Sequence, residues 1–293
     1  MRLGTLEAGG TKMVLSVGNE QNELLEQISI PTEAPDKTIP AMIDWFREKK
    51  VEALGIGSFG PVDLNPKSPT YGWITSTPKL LWRNQPLLPR MQEALKIPMQ
   101  IDTDVNAAAL AEWKLGAAKG LESCIYVTIG TGVGAGLVVE GKLVHGLMHP
   151  EMGHMLLQPS KNDPAPEGFC PYHKGCLEGL ASGPAVEKRW GRKARELPEN
   201  HEAWDLEAEY LAQMCVNAIC TLSPERIILG GGIMQQKHLF PKIRKKTLEI
   251  LNGYIQVNAI LKDIDAYITE PGLGTRSGAM GALLLSRYAI GDI

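Results

Sequence analysis

Long apolar runs and blocks of like charge are both missing from this 293-residue sequence. Its longest uncharged stretch, Ser123 to Val139, is rich in Gly and Thr and shorter than the roughly 20 apolar residues of a membrane span. The net charge is −3, which favours neither nucleic acid nor a membrane surface as a partner. Glu7 and Lys12 interrupt any signal-peptide core. We therefore expect a globular cytoplasmic protein that is long enough for two domains.

Cysteine is also scarce, with five residues. This odd number argues against a disulfide framework in a reducing compartment. Cys124 stands in an apolar run typical of a strand, and Cys215 and Cys220 stand in one typical of a helix, so we expect all three to be core residues. Cys170 and Cys176 lie instead in a segment dense in Pro and Gly, and they need another explanation.

The spacing Cys170-x-x-His173-x-x-Cys176, with His154 upstream, offers four nitrogen and sulfur ligands. Four such ligands in tetrahedral geometry are typical of structural zinc. The alternative is a surface loop whose Cys and His residues are incidental. Zinc would also hold the segment SKNDPAPEG, which has little apolar material, and would fix Glu178 beyond it.

Apolar runs bounded by turn residues predict strands, and periodic apolar positions predict helices. Strands come first and then alternate with helices, which is typical of an α/β protein. The strand, Gly-Thr turn, strand pattern of residues 3–18 returns near 123–143, which indicates two related halves. The predicted strands are LGTLEA, KMVLSVG, ELLEQISIP, VEALGIGS, MQIDTD, SCIYVTIG, AGLVVEGKL, RIILGGG and DAYIT. The predicted helices cover 40–50, 106–118, 202–222, 239–251 and 277–288.

Three glycine-rich stretches, EAGGTK, GTGVGAG and LGGGI, each follow an apolar run. Glycine lets the backbone approach phosphate oxygens closely, and Thr hydroxyls add donors. Each stretch alone is more typical of a tight turn, but the three together favour a nucleoside triphosphate. The spacing of Gly130, Gly132 and Gly134 does not match a dinucleotide fingerprint, and the sequence contains no P-loop pattern.

The ordered motifs now resemble a known family. EAGGTK, GIGSFGPVDL, DTDVNAAALAEW, VTIGTGVGAGLVVEGKL, HPEMGH, the Cys/His segment ending in GCLEG, ILGGGI and GTRSGAMGA follow one another along the whole chain. This order resembles the ROK family of sugar kinases (repressor, open reading frame, kinase). Within that family, EAGGTK and TPKLLW look most like the bacterial ROK fructokinases.

The resemblance implies an α/β protein with the actin-like ATPase (ribonuclease H-like) fold, in which two α/β domains surround a central cleft for ATP and sugar and one domain carries a zinc-bound loop. The implied domains are 1–117, completed by a C-terminal helix at about 277–293, and 118–276, with the zinc loop at 154–176. The implied cofactors are ATP, Mg²⁺ and Zn²⁺, and the implied assembly is a homodimer. The metal ligands are His154, Cys170, His173 and Cys176.

Nucleotide contacts are implied at all three glycine-rich turns. Lys12 is a further candidate for phosphate binding, although a solvated hairpin lysine is the alternative. Glu7, where most members have Asp, would orient Mg²⁺-bound water. The implied nucleotide-binding residues are Gly9, Gly10, Thr11, Thr131, Gly132, Gly134, Gly230, Gly231 and Gly232.

Phosphoryl transfer needs an aligned hydroxyl and a proton acceptor, and the resemblance places the catalytic base at Asp104. From the residues alone Asp104 is a helix N-cap candidate, and Asp102 competes for the role. Thr103 replaces the Asn of many members. The implied sugar-binding residues are Glu151, His154 and Glu178, with Gly60 on the opposite wall and Thr103 beside the base.

The expected activity is ATP-dependent phosphorylation of a hexose, D-fructose to fructose 6-phosphate, with mannose, glucose or an N-acylhexosamine as the alternative substrate. An alternative of another class is a catalytically silent, zinc-stabilised sugar-binding protein. A transcriptional repressor of the same family would need a helix-turn-helix domain before the first phosphate-binding strand, which begins here within the first few residues.

Overall fold

The computed structural model describes residues 1–292, which form two compact units. The first unit contains Met1–Lys114, Leu143–Pro150 and the chain from Arg276, and the second contains Leu115–Lys142 and Glu151–Thr275. Compared with the predicted domains, the first unit also takes in Leu143–Pro150. Ile293, the last residue of the predicted C-terminal helix range, lies outside the described residues.

The first unit is built on a five-stranded sheet with the order β3-β2-β1-β4-β5. β1 pairs antiparallel with β2 and parallel with β4, which pairs parallel with β5. β1 and β4 are buried along nearly their whole length, as expected of central strands, whereas β3 is largely exposed at the edge. The strands are β1 Leu3–Ala8, β2 Lys12–Gly18, β3 Leu24–Pro31, β4 Ala53–Ser58 and β5 Met99–Thr103.

Three helices accompany this sheet: α1 Pro35–Lys49, α2 Leu87–Leu95 and α3 Asp104–Lys114. α1 begins five residues earlier than the predicted start at Pro40. Pro35 occupies the first turn, where a missing N–H costs nothing, and the helix continues through Pro40. The predicted start at Pro40 is therefore wrong by more than one helical turn.

The C-terminal helix, Ser277–Ala289, packs against α3 and β4 in the first unit. A Cβ atom on Gly281 would lie 1.8 Å from the Ala107 carbonyl oxygen, so only glycine permits this approach. The buried Ser277 hydroxyl also donates to the Glu112 carboxylate at 2.7 Å. This helix is therefore an integral part of the first unit.

The second unit contains a sheet with the order β10-β9-β6-β7-β8. β6 pairs antiparallel with β7 and parallel with β9, as β1 does with β2 and β4, so the predicted internal similarity of the two halves is confirmed. The strands are β6 Cys124–Ile129, β7 Val133–Val139, β8 Lys142–Leu143, β9 Ile227–Gly230 and β10 Ile268–Thr269. The helices are α4 Leu177–Ala181, α5 Gly183–Trp190, α6 Ala203–Leu222, α7 Leu239–Leu251, α8 Asn258–Leu261 and α9 Ile264–Tyr267.

One prediction for the second unit is correct only in part, and another is wrong. The predicted strand DAYIT is mostly the helical turn α9, because only Ile268 and Thr269 pair with β9. Cys220 is exposed near the end of α6, whereas Cys124 and Cys215 are buried as predicted. Within residues 1–292 we find no helix that combines the length and the apolar character needed to cross a membrane.

Candidate active site and metal centre

The first unit gathers several predicted site residues at one edge of its sheet. β1, β4 and β5 are parallel, and the register aligns Ala8 with Ser58 and Ser58 with Thr103. The segments after these strands therefore emerge at the same edge, where open α/β sheets bind ligands. They carry the turn Gly9–Thr11, Gly60 and Asp104.

The turn Gly9–Thr11 is held by its own backbone and by Thr32. The Gly9 N–H donates to the Lys12 carbonyl at 3.1 Å, and the Thr32 hydroxyl donates to the Gly9 carbonyl at 2.7 Å. Within residues 1–292 the N–H groups of Gly10 and Thr11 donate to no protein acceptor. A fixed turn with unused N–H groups suits an anion, and the Thr11 and Lys12 side chains are exposed there.

Glu7 lies on β1, two residues before this turn. Burial raises the pKa of its carboxyl group, and the charge of Lys12 partly opposes that rise. A cation placed beside Glu7 would stabilise the carboxylate. The site is therefore chemically suited to a hydrated divalent cation held near phosphate.

Asp104 is the first residue of α3, and Thr103 precedes it as the buried end of β5. The Thr103 hydroxyl accepts a hydrogen bond from the Asn106 N–H at 3.0 Å, which is the geometry of a helix N-cap. Thr103, rather than Asp104, therefore caps α3, and this corrects the interpretation drawn from the residues alone. The Asp104 carboxylate accepts from the Val105 N–H at 2.9 Å.

Asp102 is buried, and protein donors use both of its carboxylate oxygens. Oδ1 accepts from the Thr103 N–H at 2.7 Å and the Asn106 amide at 2.8 Å. Oδ2 lies 2.8 Å from the Nε2 atom of His145, and this hydrogen bond raises the pKa of His145. Asp102 is thus a structural carboxylate that holds the start of α3.

His145 and His149 were missed by the sequence analysis, and both attach residues 143–150 to the first unit. His145 bonds to Asp102, and the buried His149 accepts at Nε2 from the Val62 N–H at 3.1 Å. Val62 directly follows Gly60-Pro61. No periodicity or motif spacing in the sequence indicated these contacts, because each joins residues more than 40 positions apart.

The segment after β4 forms an ordered wall. Asp63 holds it: its N–H donates to the Trp73 carbonyl at 2.9 Å and its carboxylate accepts from the Thr70 hydroxyl at 2.6 Å. Trp82 is a buried core residue. Its ring meets Phe59 edge to face at a centroid distance of 5.7 Å.

The second unit repeats this arrangement at the ends of β6 and β9. The turn after β6 is closed by a hydrogen bond from the Gly130 N–H to the Gly132 carbonyl at 2.9 Å, and it leaves Thr131 exposed. Gly231, after β9, has φ of +89° and packs against Ile129. Because β6 and β9 are parallel, both turns lie at the same sheet edge. Thr131, Gly132, Gly134, Gly230, Gly231 and Gly232 are thus brought together.

Glu178 joins the turn after β6 to α4, because its Oε2 atom accepts from the Val133 N–H at 2.9 Å. The Glu151 carboxyl group lies close enough to Glu178 to be affected by the charge of Glu178. The residue is exposed as a whole, and partial burial of its carboxyl group together with the charge of Glu178 raises the pKa of Glu151 to about 7. The two carboxyl groups are near one another and offer hydrogen-bond acceptors of the kind that hydroxyl ligands use.

The four predicted metal ligands meet in one cluster. One potential ligand atom from each of His154, Cys170, His173 and Cys176 lies within 4.8 Å of the others. The Nδ1 atom of His154 is 3.9 Å from the Cys170 sulfur and 3.8 Å from the Cys176 sulfur, and the His173 Nδ1 atom is 3.7 Å from the Cys170 sulfur. The spacing prediction of a convergent cluster is confirmed.

These distances fit a tetrahedral metal. Standard zinc–sulfur and zinc–nitrogen bonds place the two ligand atoms about 3.6 Å apart, close to the separations observed. Burial raises the pKa of the Cys176 thiol, so a thiolate forms there only with a cation beside it. With Nδ1 facing the sulfurs, the Nε2 atom of His154 is left for another contact.

The segment leading to Cys170 has a buried polar anchor that the sequence analysis missed. The Asp163 carboxylate accepts from Arg189 Nε at 2.8 Å, the Ala165 N–H at 2.7 Å and the Tyr210 hydroxyl at 2.6 Å. Burial and the Asp163 carboxylate raise the pKa of Tyr210, so its hydroxyl stays protonated and donates. The loop is therefore held by an ion pair as well as by its Cys/His cluster.

A family model described as the ROK family matches residues 3–288. The chain belongs to the ROK family. This ROK protein is 45% identical to the fructokinase of Pediococcus pentosaceus over 290 residues, 99% of each chain. It is 42% identical to the fructokinase of Zymomonas mobilis subsp. mobilis over 294 residues, 98% of this chain and 96% of the relative.

A solved structure described as the ROK hexokinase from Thermus thermophilus superimposes with a TM-score of 0.77 at 28% identity and covers all of both chains. The predicted family and the predicted actin-like ATPase fold of this ROK protein are thereby confirmed. Its mixed α/β units and its Cys/His cluster agree with that fold.

Proposed function

We propose that this ROK protein is an ATP-dependent fructokinase that transfers the γ-phosphoryl group of Mg-ATP to the 6-hydroxyl of D-fructose. The observation that carries the proposal is the similarity to curated fructokinases along essentially the whole chain, at 42 and 45% identity. The alternatives, another hexose or a silent binding protein, have weaker support. A glucokinase of Halalkalibacterium halodurans is only 26% identical.

In this proposal Asp104 accepts the proton of the attacking hydroxyl. The competing carboxylate, Asp102, already receives three hydrogen bonds from Thr103, Asn106 and His145. Asp104 stands at the first turn of α3, where the positive end of the helix dipole and the Val105 N–H face its carboxylate. An ionised carboxylate at this position is the group a general base requires.

The nucleotide phosphates are proposed to bind the turn Gly9–Thr11, with Lys12 beside it, and the turns at 131–134 and 230–232. Glu7 would hold the water shell of Mg²⁺, which supplies charge neutralisation to the phosphates when bound. The unused N–H groups of Gly10 and Thr11 support this part of the proposal.

Sugar hydroxyls are proposed to contact Glu151, Glu178 and the Nε2 atom of His154, with Gly60 and Thr103 in the first unit as further contacts. Zinc, bound by His154, Cys170, His173 and Cys176, would supply no open coordination position and hence no activated water. Its contribution is to orient His154 and the segment that ends at Glu178. A homodimer and a cytoplasmic location complete the proposal.

The test is ADP release by the purified zinc-containing protein with Mg-ATP and fructose, mannose, glucose or N-acetylmannosamine. We expect fructose to give the highest kcat/KM and the Asp104→Asn variant to lose most turnover. A higher kcat/KM with another hexose would change the substrate, whereas sugar-independent or absent ADP release would refute a sugar kinase.

A further inference from the structure

Lys79 reaches the turn Gly9–Thr11 from a distant part of the first unit. A Cβ atom placed on Gly10 would lie 2.4 Å from Cε and 3.3 Å from Nζ of Lys79, so the ammonium group lies directly over this turn. We propose that Lys79 binds the β- and γ-phosphates of the nucleotide, together with the N–H groups of Gly10 and Thr11. This inference rests on the proposed kinase function and adds a residue to it.

The segment that carries Lys79 is joined to the turn through the neighbouring residues Thr32 and Glu33. Thr32 bonds to the carbonyls of Gly9 and Thr11. The next residue, Glu33, accepts at its carbonyl from the indole N–H of Trp82 at 2.9 Å. Trp82 is buried and ends the short 3₁₀ helix that follows Lys79. The backbone that carries Lys79 is therefore tied to the residues that hold the turn.

Within residues 1–292 the ammonium group of Lys79 has no carboxylate partner. Lys49 and Lys242 each lie 2.6 Å from an acidic oxygen, whereas Lys79 forms no ion pair with any residue of the described chain, 1–292. A half-buried lysine that loses rotamer freedom without an ion pair calls for another counter-charge. The charge of a triphosphate meets this need at the place where two N–H groups are also unused.

Polar contacts hold the backbone of the segment around Lys79. The Lys79 N–H donates to the Thr77 hydroxyl at 3.4 Å, and Arg83 Nε donates to the Thr77 carbonyl at 2.8 Å. Leu80 and Leu81 are exposed, so the segment is held by Trp82 and these polar contacts and not by its own leucines. The lysine can thus be replaced without removing the anchors of the segment.

The experiment compares wild type, Lys79→Met and Lys79→Arg, with Lys67→Met as the matched control. Lys67 is an exposed lysine that lies 12 residues before Lys79 in the chain. Calorimetric binding of the Mg²⁺ complex of AMPPNP is compared with binding of AMP, and kcat and KM for ATP are measured with fructose. Thermal unfolding checks that each variant is folded.

We expect Lys79→Met to weaken AMPPNP binding about 10- to 100-fold, because a charge-assisted hydrogen bond is lost. AMP binding should change less than threefold, Lys79→Arg should recover at least part of the loss, and Lys67→Met should match wild type. Equal AMPPNP affinity in wild type and Lys79→Met overturns the inference, as does an equal loss for AMP and AMPPNP.

If the proposed kinase activity were wrong, the binding and activity measurements would give a different combination of results. If wild type binds AMPPNP more tightly than Lys79→Met does but phosphorylates no hexose, the phosphate-binding role of Lys79 stands and the proposed sugar kinase activity falls. If wild type phosphorylates fructose and Lys79→Met keeps both its AMPPNP affinity and its KM for ATP, the kinase stands and the role of Lys79 is refuted.

Discussion

Replacing Asp163 by Ala is expected to destabilise the second unit strongly. The Asp163 and Arg189 side chains are 0% and 1% exposed, and their ion pair measures 2.8 Å. Removing the carboxylate leaves the guanidinium buried without its counter-charge, and it also removes the acceptor of the Tyr210 hydroxyl and of the Ala165 N–H. The substitution should therefore destabilise the loop that leads to Cys170.

Breaking a buried ion pair by removing one partner costs about 3–5 kcal/mol in the free energy of unfolding. For a unit of this size, that loss lowers the unfolding midpoint by about 6–20 °C. The exposed pair of Asp205 with Lys242, at 2.6 Å, provides the contrast, because exposed pairs contribute about 0–1 kcal/mol.

The measurement is scanning calorimetry of wild type, Asp163→Ala and Asp205→Ala, with zinc content determined for each. A double variant, Asp163→Leu with Arg189→Met, should lose less stability than Asp163→Ala because it leaves no unpaired buried charge. If Asp163→Ala shifted the midpoint no more than Asp205→Ala does, the assignment of Asp163 as the anchor of the loop would be refuted.

Three further predictions concern the base, the metal and a buried acid. Asp104→Asn should lower kcat about 10²- to 10⁴-fold with an unchanged unfolding midpoint, measured by ADP release; turnover within threefold of wild type would rule out the base assignment. The Cys176→Ser variant should lose zinc, measured by elemental analysis, and should bind fructose more weakly, with a smaller effect on AMPPNP binding. Unchanged sugar affinity in zinc-free protein would contradict the orienting role of the metal. Burial raises the pKa of Glu207 well above its usual value, so the folded state keeps a proton that the unfolded state releases. The free energy of unfolding of Glu207→Gln relative to wild type should therefore rise above about pH 4.5, by about 1.4 kcal/mol per pH unit until the folded-state pKa is passed. If urea titrations gave parallel stability curves for the two proteins, Glu207 would not be protonated in the folded state.

The sequence predicted the features that short-range patterns encode. β1, β6 and β9 are largely apolar strands that lead into glycine-rich turns, so both their type and their turns were recognisable. The Cys/His cluster was predictable because three of its ligands fall within seven residues, Cys170 to Cys176. The start of α1 was predicted too late, because the helix continues through Pro40. The strand near Ile268 was predicted too long, because only two of its residues pair with β9.

Long-range polar contacts could not be predicted in this way. Asp163 meets Arg189 and Tyr210, His145 meets Asp102, and Lys79 meets Gly10, and in each case the partners are brought together only by the fold. Polar residues in loops carry no periodicity that indicates their partners. The prediction that Cys220 is a core residue was wrong for a related reason, because its apolar neighbours did not show which face of α6 it occupies.

The C-terminal helix has a consequence for synthesis on the ribosome. All strands of the second sheet lie between Cys124 and Thr269, so that sheet can form before the last helix emerges. The first unit must wait for Ser277–Ala289, whose Gly281 contacts α3 and whose Ser277 meets Glu112. During translation the part of the chain made first is thus completed last, and residues 1–114 leave apolar surface for a chaperone to cover until then.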